Sequence, residues 1–132
     1  MRLLLDTNVL VAAVTQDTGR STVATELLNE ATDVHVSVLN LMELRSVLSK
    51  KKQFERDHVQ QIENRITSRT TVTFPDASDV MAANRLQAET LLYPMDALVL
   101  TAADAVDATL VSFDSELLEH GAERPQDVQR DD

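Results

Sequence analysis

The chain has 132 residues and no cysteine, and its 22 acidic residues against 12 basic ones give a formal charge of −10. This length suits one domain with a substantial core, and the absence of thiols excludes disulfides, thiolate catalysis and thiolate zinc sites. No apolar run approaches the roughly 20 residues of a membrane span, and the N-terminus lacks the features of a secretory signal. We therefore expect a soluble protein of the cytoplasm.

Read in chain order, hydrophobic periodicity predicts strands that alternate with helices. The first predicted strand ends at residue 5, and the other three cover residues 34–38, 71–74 and 109–113. Helices are predicted over 7–14, 21–31, 40–49, 55–69, 76–92 and 96–106, with a short last helix ending near residue 120. This order predicts an α/β domain over residues 1–120 with a parallel sheet. Residues 121–132 show no hydrophobic pattern, and we expect a ragged tail there.

The charges are distributed unevenly along the chain. The acid-rich, lysine-poor and alanine-rich composition is typical of proteins that work in concentrated salt, which we keep as a hypothesis. A protein with this net charge should repel nucleic acid unless its positive charge is gathered locally. Seven basic residues lie between Arg45 and Arg69, among them the three lysines of the chain, Lys50, Lys51 and Lys52. These cations either contact a nucleic acid or form a solvated helix end.

Four acidic residues are predicted to meet at the carboxyl edge of the sheet. Asp6 and Asp114 come directly after apolar strands. Glu43 lies in the first turns of a helix that leaves the second strand, and Asp96 opens a helix that returns to the last strand. Crossover helices run antiparallel to the strands, so the N-termini of these helices also lie at the carboxyl edge, where sites form in open α/β sheets.

The surroundings of these acids favour a bound cation. Asp96 shares a helical face with Val99 and Leu100, and Glu43 borders the apolar stripe of its own helix. Carboxylates beside apolar surface are costly unless they are paired, and crowded carboxylates repel one another unless a divalent cation gathers them. Oxygen ligands without thiolates favour Mg²⁺ or Mn²⁺.

Each acid also has a purely structural interpretation. Asp6 could cap the helix over 7–14, Asp96 could cap its own helix, and Asp114 could cap the last one. Glu43 could be a boundary residue that pairs with Arg45 or with another basic side chain. Each of these explanations is reasonable for a single residue. It is less reasonable that a separate structural explanation applies to each of the four acids.

The order and spacing of these segments resemble the PIN-domain ribonucleases, in particular the VapC-type toxins. The resemblance covers residues 1–120 and is carried by Asp6-Thr7-Asn8, Glu43, Asp96-Ala97-Leu98 and Leu110-Val111-Ser112-Phe113-Asp114. It implies a three-layer α/β/α fold around a parallel sheet of four or five strands. The family usually has Thr at the place of Ser112 and a further closing strand, for which residues 121–132 offer no convincing candidate.

The resemblance also implies the chemistry and the partners. It implies an endoribonuclease that binds Mg²⁺ or Mn²⁺, with a cognate antitoxin and a homodimeric state. Asp6, Glu43, Asp96 and Asp114 would be the acidic site, Asn8 and Ser112 would orient carboxylates, and Arg45, Lys50, Lys51 and Lys52 are weaker candidates for RNA contacts. One alternative is an RNA-processing PIN nuclease without an antitoxin. Another is a receiver-like signalling module, although such modules normally have paired acids near the first strand and a late lysine.

Overall fold

The computed structural model describes residues 1–15 and 19–128. The strands are β1 (Arg2–Leu5), β2 (Asp33–Ser37), β3 (Thr71–Thr73) and β4 (Thr109–Val111). The helices are α1 (Thr7–Thr15), α2 (Arg20–Glu30), α3 (Val38–Ser46), α4 (Arg56–Arg69), α5 (Ala77–Thr90), α6 (Pro94–Ala105), α7 (Ser115–Glu119) and α8 (Pro125–Val128), and a π-helical turn over Val47–Lys51 extends α3. Within the described ranges, no helix is long and apolar enough to cross a bilayer.

The four strands form one parallel sheet in the order β3-β2-β1-β4. The first strand is therefore central, with Leu4 level with His35 of β2 on one side and with Leu110 of β4 on the other. This confirms the predicted parallel sheet of four strands. It also brings the ends of β1 and β4 next to each other, which places Asp6 and Asp114 in one region.

Helices cover both faces of the sheet and give it two cores. Alternate residues of a strand point to opposite faces. Leu3 and Leu5 accordingly pack with α1 to α4, whereas Leu4 packs with α5 and α6. All three leucines are buried. The result is the three-layer α/β/α arrangement that the resemblance implied.

The boundaries of α3 and α6 differ from the sequence prediction, and both differences bear on the site. Ser37 ends β2 and caps α3, since its Oγ accepts a hydrogen bond from the Leu39 amide at 3.1 Å. The helix therefore begins at Val38, two residues earlier than predicted. Pro94 occupies the first turn of α6, a position that suits its fixed φ. Asp96 consequently lies inside the first turn rather than at the cap.

The segment after Gly121 is more ordered than its sequence pattern predicts. Glu123 forms a single parallel bridge with Val111 of β4. Pro125 and Val128 are buried, and α8 contacts α2. Residues 129–132 of the predicted ragged tail lie outside the described residues. The domain boundary at residue 120 stays a prediction.

Candidate active site

Asp6 is the most buried acid of the site, with only 7% of its surface exposed. It follows β1 directly and precedes the first residue of α1. Its amide donates to the carbonyl of Val111 at 2.9 Å, which continues the pairing of β1 with β4 by one residue. Its own carbonyl accepts from the amides of Val9 and Leu10 in α1. The backbone on both sides therefore fixes the position of this carboxylate.

Three donors hold the carboxylate itself. Its Oδ1 accepts from the amide of Thr7 at 2.9 Å and from Nδ2 of Asn40 at 3.3 Å. Its Oδ2 accepts from the hydroxyl of Ser112 at 2.8 Å. Bonds to an ionised carboxylate are stronger than bonds between neutral groups. These three donors favour the charged form of Asp6 and keep it in one orientation.

Ser112 connects Asp6 to the rest of the site. It is fully buried, and its Oγ accepts from Nδ2 of Asn8 at 3.2 Å and from the amide of Asp114 at 3.0 Å. Oδ1 of Asn8 in turn accepts from the amide of Phe113 at 3.1 Å. Asn8 thus reaches Asp6 through the Ser112 hydroxyl. That Asn8 and Ser112 orient carboxylates stays a prediction, and these hydrogen bonds are the contacts through which they could do so.

All four predicted acids line a single open cavity of about 380 Å³. The acids are Asp6 after β1, Glu43 in α3, Asp96 in the first turn of α6 and Asp114 after β4. The other lining residues are Thr7, Asn8, Val11, Ala12, Arg20 and Val47. The cavity therefore concentrates negative charge at the carboxyl edge of the sheet.

The concentrated charge and the burial raise two pKa values. Burial raises the pKa of Asp6 above its usual value, against the lowering effect of the bonds from Ser112 and Thr7, and repulsion from Glu43 and Asp114 adds to the rise. The pKa of Asp96 is raised to about 6, chiefly by burial and then by repulsion from the other carboxylates, Asp114 first. A site that makes carboxylates this costly to ionise should attract a cation.

The raised pKa of Asp96 leads to a prediction for the metal-free protein. An acid whose folded pKa exceeds its unfolded value of 3.8 destabilises the fold increasingly as the pH rises from about 4 to about 6. In EDTA at pH 7, Asp96→Asn should raise the melting temperature by roughly 3 °C, a figure that allows for solvent screening at this partly exposed group. The gain should vanish near pH 4.

A pH series of melting curves tests this prediction. Asp104→Asn is the matched control because Asp104 is an exposed acid of the same helix and does not line the cavity. An equal gain in both variants would contradict the specific repulsion at Asp96.

The capping interpretation holds for Asp114 alone among the acids of the site. Asp114 caps α7, because its Oδ1 accepts from the amide of Glu116 at 2.8 Å, and it lines the cavity as well. The carboxylate of Asp6 accepts from the amide of the next residue, Thr7, which is not the bond of an N-cap to the second or third residue of a helix. Tyr93 rather than Asp96 is the N-cap of α6, so the capping interpretation of Asp96 is wrong. Capping therefore explains neither Asp96 nor Glu43.

The predicted RNA-contacting cations lie outside the cavity lining. Arg45 is held by α4, where it donates to Glu63 at 2.8 Å and to Gln60 at 2.9 Å. The predicted pairing of Arg45 with Glu43 is thus replaced by the pair with Glu63. Lys50, Lys51 and Lys52 are exposed at and just after the π-helical turn. Their contact with RNA stays a prediction.

Sequence reasoning missed three residues of the site. Asn40 and Thr7 contact each other and Asp6, and Arg20 lines the cavity with its guanidinium 4.6 Å from the ring centroid of Phe113. Thr7 and Asn40 do carry a usable signal, since they are polar residues close to predicted acids at the carboxyl edge. Nothing in the sequence pattern singles out Arg20.

The oxygen ligands of the cavity fit a hard divalent cation, although the carboxylates must move closer to one another to bind one. Within residues 1–15 and 19–128, no three acidic, histidine or cysteine side chains form a ready-made metal cluster. The cavity is nevertheless lined by four carboxylates, which are oxygen ligands of the kind that Mg²⁺ and Mn²⁺ prefer. A cation between them would relieve their mutual repulsion.

Comparison with protein families identifies the domain. The PIN domain family matches residues 3–123, which is nearly the whole described chain. The protein therefore belongs to the PIN domain family, a family of nucleases. The family membership, together with a sheet in which β1 lies between β2 and β4, excludes the receiver-like alternative. Comparison with curated proteins gave no match.

Solved structures with the same fold include components of toxin–antitoxin systems. One is VapC20 from Mycobacterium tuberculosis, a Sarcin-Ricin loop cleaving toxin, with 18% identity, a TM-score of 0.76, and coverage of 91% of this chain and 95% of that one. DNA-bound VapBC from Salmonella typhimurium has 19% identity, a TM-score of 0.75 and coverage of 94% and 96%. Promoter-bound VapBC2 from Rickettsia felis has 24% identity, a TM-score of 0.71 and coverage of 90% and 92%. These similarities establish the shared fold.

Proposed function

We propose that the protein is a metal-dependent endoribonuclease and the toxin of a toxin–antitoxin pair. The observation that carries this proposal is the cavity at the carboxyl edge of a PIN domain, lined by Asp6, Glu43, Asp96 and Asp114. Paired or clustered carboxylates at such an edge are suited to phosphodiester hydrolysis with Mg²⁺ or Mn²⁺. All four acids face the same cavity, so one bound cation could be reached by each of them.

The side chains divide the work according to their burial and position. Asp6, which three donors hold in one orientation, and Asp96, whose pKa is raised to about 6, would be the principal ligands. Glu43 and Asp114 complete the ligand set or orient the attacking water. A bound cation would polarise a phosphate of the RNA and lower the pKa of a water molecule. Ser112 and Asn8 fix the position of the Asp6 carboxylate relative to the backbone at Asp114.

A cleavage assay on a mixed RNA pool, structured tRNA included, tests the proposed activity. It is run with Mn²⁺ in molar KCl, because the acid-rich composition supports a protein adapted to a salt-rich cytoplasm. We expect cutting that EDTA abolishes and that Asp96→Asn reduces strongly, while Asp104→Asn leaves it intact. Cutting that persists in EDTA would contradict the metal requirement.

The toxin assignment rests on structural neighbours that were solved as VapBC complexes. On the basis of these neighbours, we expect this protein to bind a cognate antitoxin and to form a homodimer. Expression of the protein alone should arrest growth, and coexpression of a small neighbouring reading frame should relieve the arrest. Harmless expression of active protein would instead favour the RNA-processing alternative, and a monomer in light scattering would contradict the dimer.

Arg20 is the basic side chain that lines the acidic cavity, and we expect it to contact an RNA phosphate. Its position over the ring of Phe113 would hold the guanidinium at the cavity wall. Arg20→Gln should raise KM for RNA about tenfold, as expected for the loss of one hydrogen bond to a charged group, and should change kcat little. Steady-state kinetics measure this effect.

Arg85→Gln is the matched control for Arg20→Gln, because Arg85 is an exposed arginine of α5 that does not line the cavity. An unchanged KM in the Arg20 variant, or the same rise in both variants, would remove Arg20 from the RNA contact. Mn²⁺ affinity should not fall in either variant.

A further inference from the structure

Asn40 is a fully buried polar residue that touches the most buried acid of the site. It lies in the first turn of α3, one turn before Glu43. Its Nδ2 donates to Oγ1 of Thr7 at 2.9 Å and to Oδ1 of Asp6 at 3.3 Å. One amide group thereby joins the helix that carries Glu43 to the loop that carries Asp6.

The other end of the same amide has no partner. Oδ1 of Asn40 is buried and accepts no hydrogen bond from any described residue. A buried acceptor without a donor is unfavourable, and an apolar side chain of similar size would avoid the cost. Turning the amide over would place its oxygen against the Asp6 carboxylate, which is worse. Asn40 is therefore suited to donating to Asp6 and Thr7 rather than to stabilising the fold.

Helix capping does not account for Asn40. The amide of Leu39 at the start of α3 is already bound by the hydroxyl of Ser37. Packing does not account for it either, since its neighbours along α3, Leu41 and Leu44, supply the buried apolar contacts of the helix. What remains is its contact with the site.

We propose that Asn40 is a positioning residue that holds the Asp6 carboxylate ready for a divalent cation and fixes the distance from Asp6 to Glu43. The inference rests on the proposed metal-dependent function. The amide acts in two ways: it fills one lone pair of Asp6 Oδ1, and it prevents α3 from turning about its axis relative to β1. Residues that orient a ligand without touching the metal commonly change metal affinity 10–100-fold.

The test measures Mn²⁺ binding by calorimetry and RNA cleavage over a range of Mn²⁺ concentrations. Asn40→Leu removes both donors at similar volume, and we expect Mn²⁺ affinity to fall at least about tenfold. Cleavage at low Mn²⁺ should fall with it and should recover substantially at saturating Mn²⁺. Asn40→Ser, too short to reach both acceptors, should show a smaller loss and covers the case in which Asn40→Leu does not fold.

Leu44→Ala is the matched control, since it removes a fully buried side chain of the same helix that is not bonded to Asp6. It should lower the melting temperature but leave Mn²⁺ affinity within about twofold of the wild type. Wild-type Mn²⁺ affinity in the folded Asn40 variants, or an equal loss of affinity in Leu44→Ala, would overturn the positioning role alone. A wild-type protein that binds no Mn²⁺ would overturn the proposed metal-dependent function, and the inference with it.

Discussion

Replacing Asp6 by asparagine should lower RNA cleavage about a thousandfold at fixed Mn²⁺, which corresponds to a loss of roughly 4 kcal/mol of transition-state stabilisation. The carboxylate is held by Thr7, Asn40 and Ser112, so its charge is placed accurately in the cavity. An amide of the same shape retains the position and loses the charge. Initial rates of cleavage of one defined RNA measure the effect.

The Asp6→Asn variant should remain folded, and this separates a catalytic loss from a structural one. Burial already raises the pKa of Asp6, which means that a neutral side chain is tolerated at this position in the metal-free protein. The melting temperature in EDTA should therefore not fall by more than a few degrees. Asp104→Asn, on the exposed side of α6, should retain full cleavage. Undiminished cleavage in Asp6→Asn would mean that the nuclease activity resides elsewhere or comes from a contaminant.

The fold could be predicted because its signals are local. Leu3, Leu4 and Leu5 form a continuous apolar run, which is what a strand covered on both faces requires, and the structure buries them in two separate cores. The end of β2 and the beginning of α3 were placed less accurately. There Ser37 belongs to the strand and also caps the helix, so one residue carries both signals.

The convergence of the acids could also be predicted, because parallel strands end at a common edge whatever their order. To place Asp6 and Asp114 at this edge, it was enough to predict where β1 and β4 end. Asn40 carries a signal through its place near this edge, but the contacts of Asn40 and Arg20 could not be assigned in this way. Their contacts depend on how far α3 and α2 are rotated about their own axes, and that rotation is set by packing between distant segments.

The segment after Gly121 illustrates a different limit of sequence reasoning. Glu123 joins β4 through two backbone hydrogen bonds, with the carbonyl of Leu110 and the amide of Ser112. Backbone pairing of a single residue leaves no periodic pattern of side chains. The burial of Pro125 and Val128 likewise involves two isolated residues and not a repeat. Hydrophobic periodicity cannot detect an element this short.

Removing the Ser112 hydroxyl should damage both the stability and the metal site. The hydroxyl donates to Asp6 and accepts from Asn8 and from the amide of Asp114, so all three groups lose a partner in Ser112→Ala. Because the position is fully buried, water cannot readily replace it. We expect a destabilisation of about 2 kcal/mol and a fall in melting temperature of roughly 7 °C. Mn²⁺ affinity should fall about 10–100-fold.

The matched control, Ser112→Thr, keeps the hydroxyl and adds one methyl group. If the three hydrogen bonds are what matters, this variant should retain Mn²⁺ affinity within a few fold, even if overpacking costs some stability. Thermal unfolding and calorimetric Mn²⁺ titration of both variants measure the two effects separately. Equal loss of Mn²⁺ affinity in alanine and threonine variants would show that the volume at position 112, and not its hydroxyl, determines the site. A threonine variant near the wild type would instead establish that this hydroxyl sets the orientation of Asp6, and thereby links β4 to the carboxylate at the end of β1.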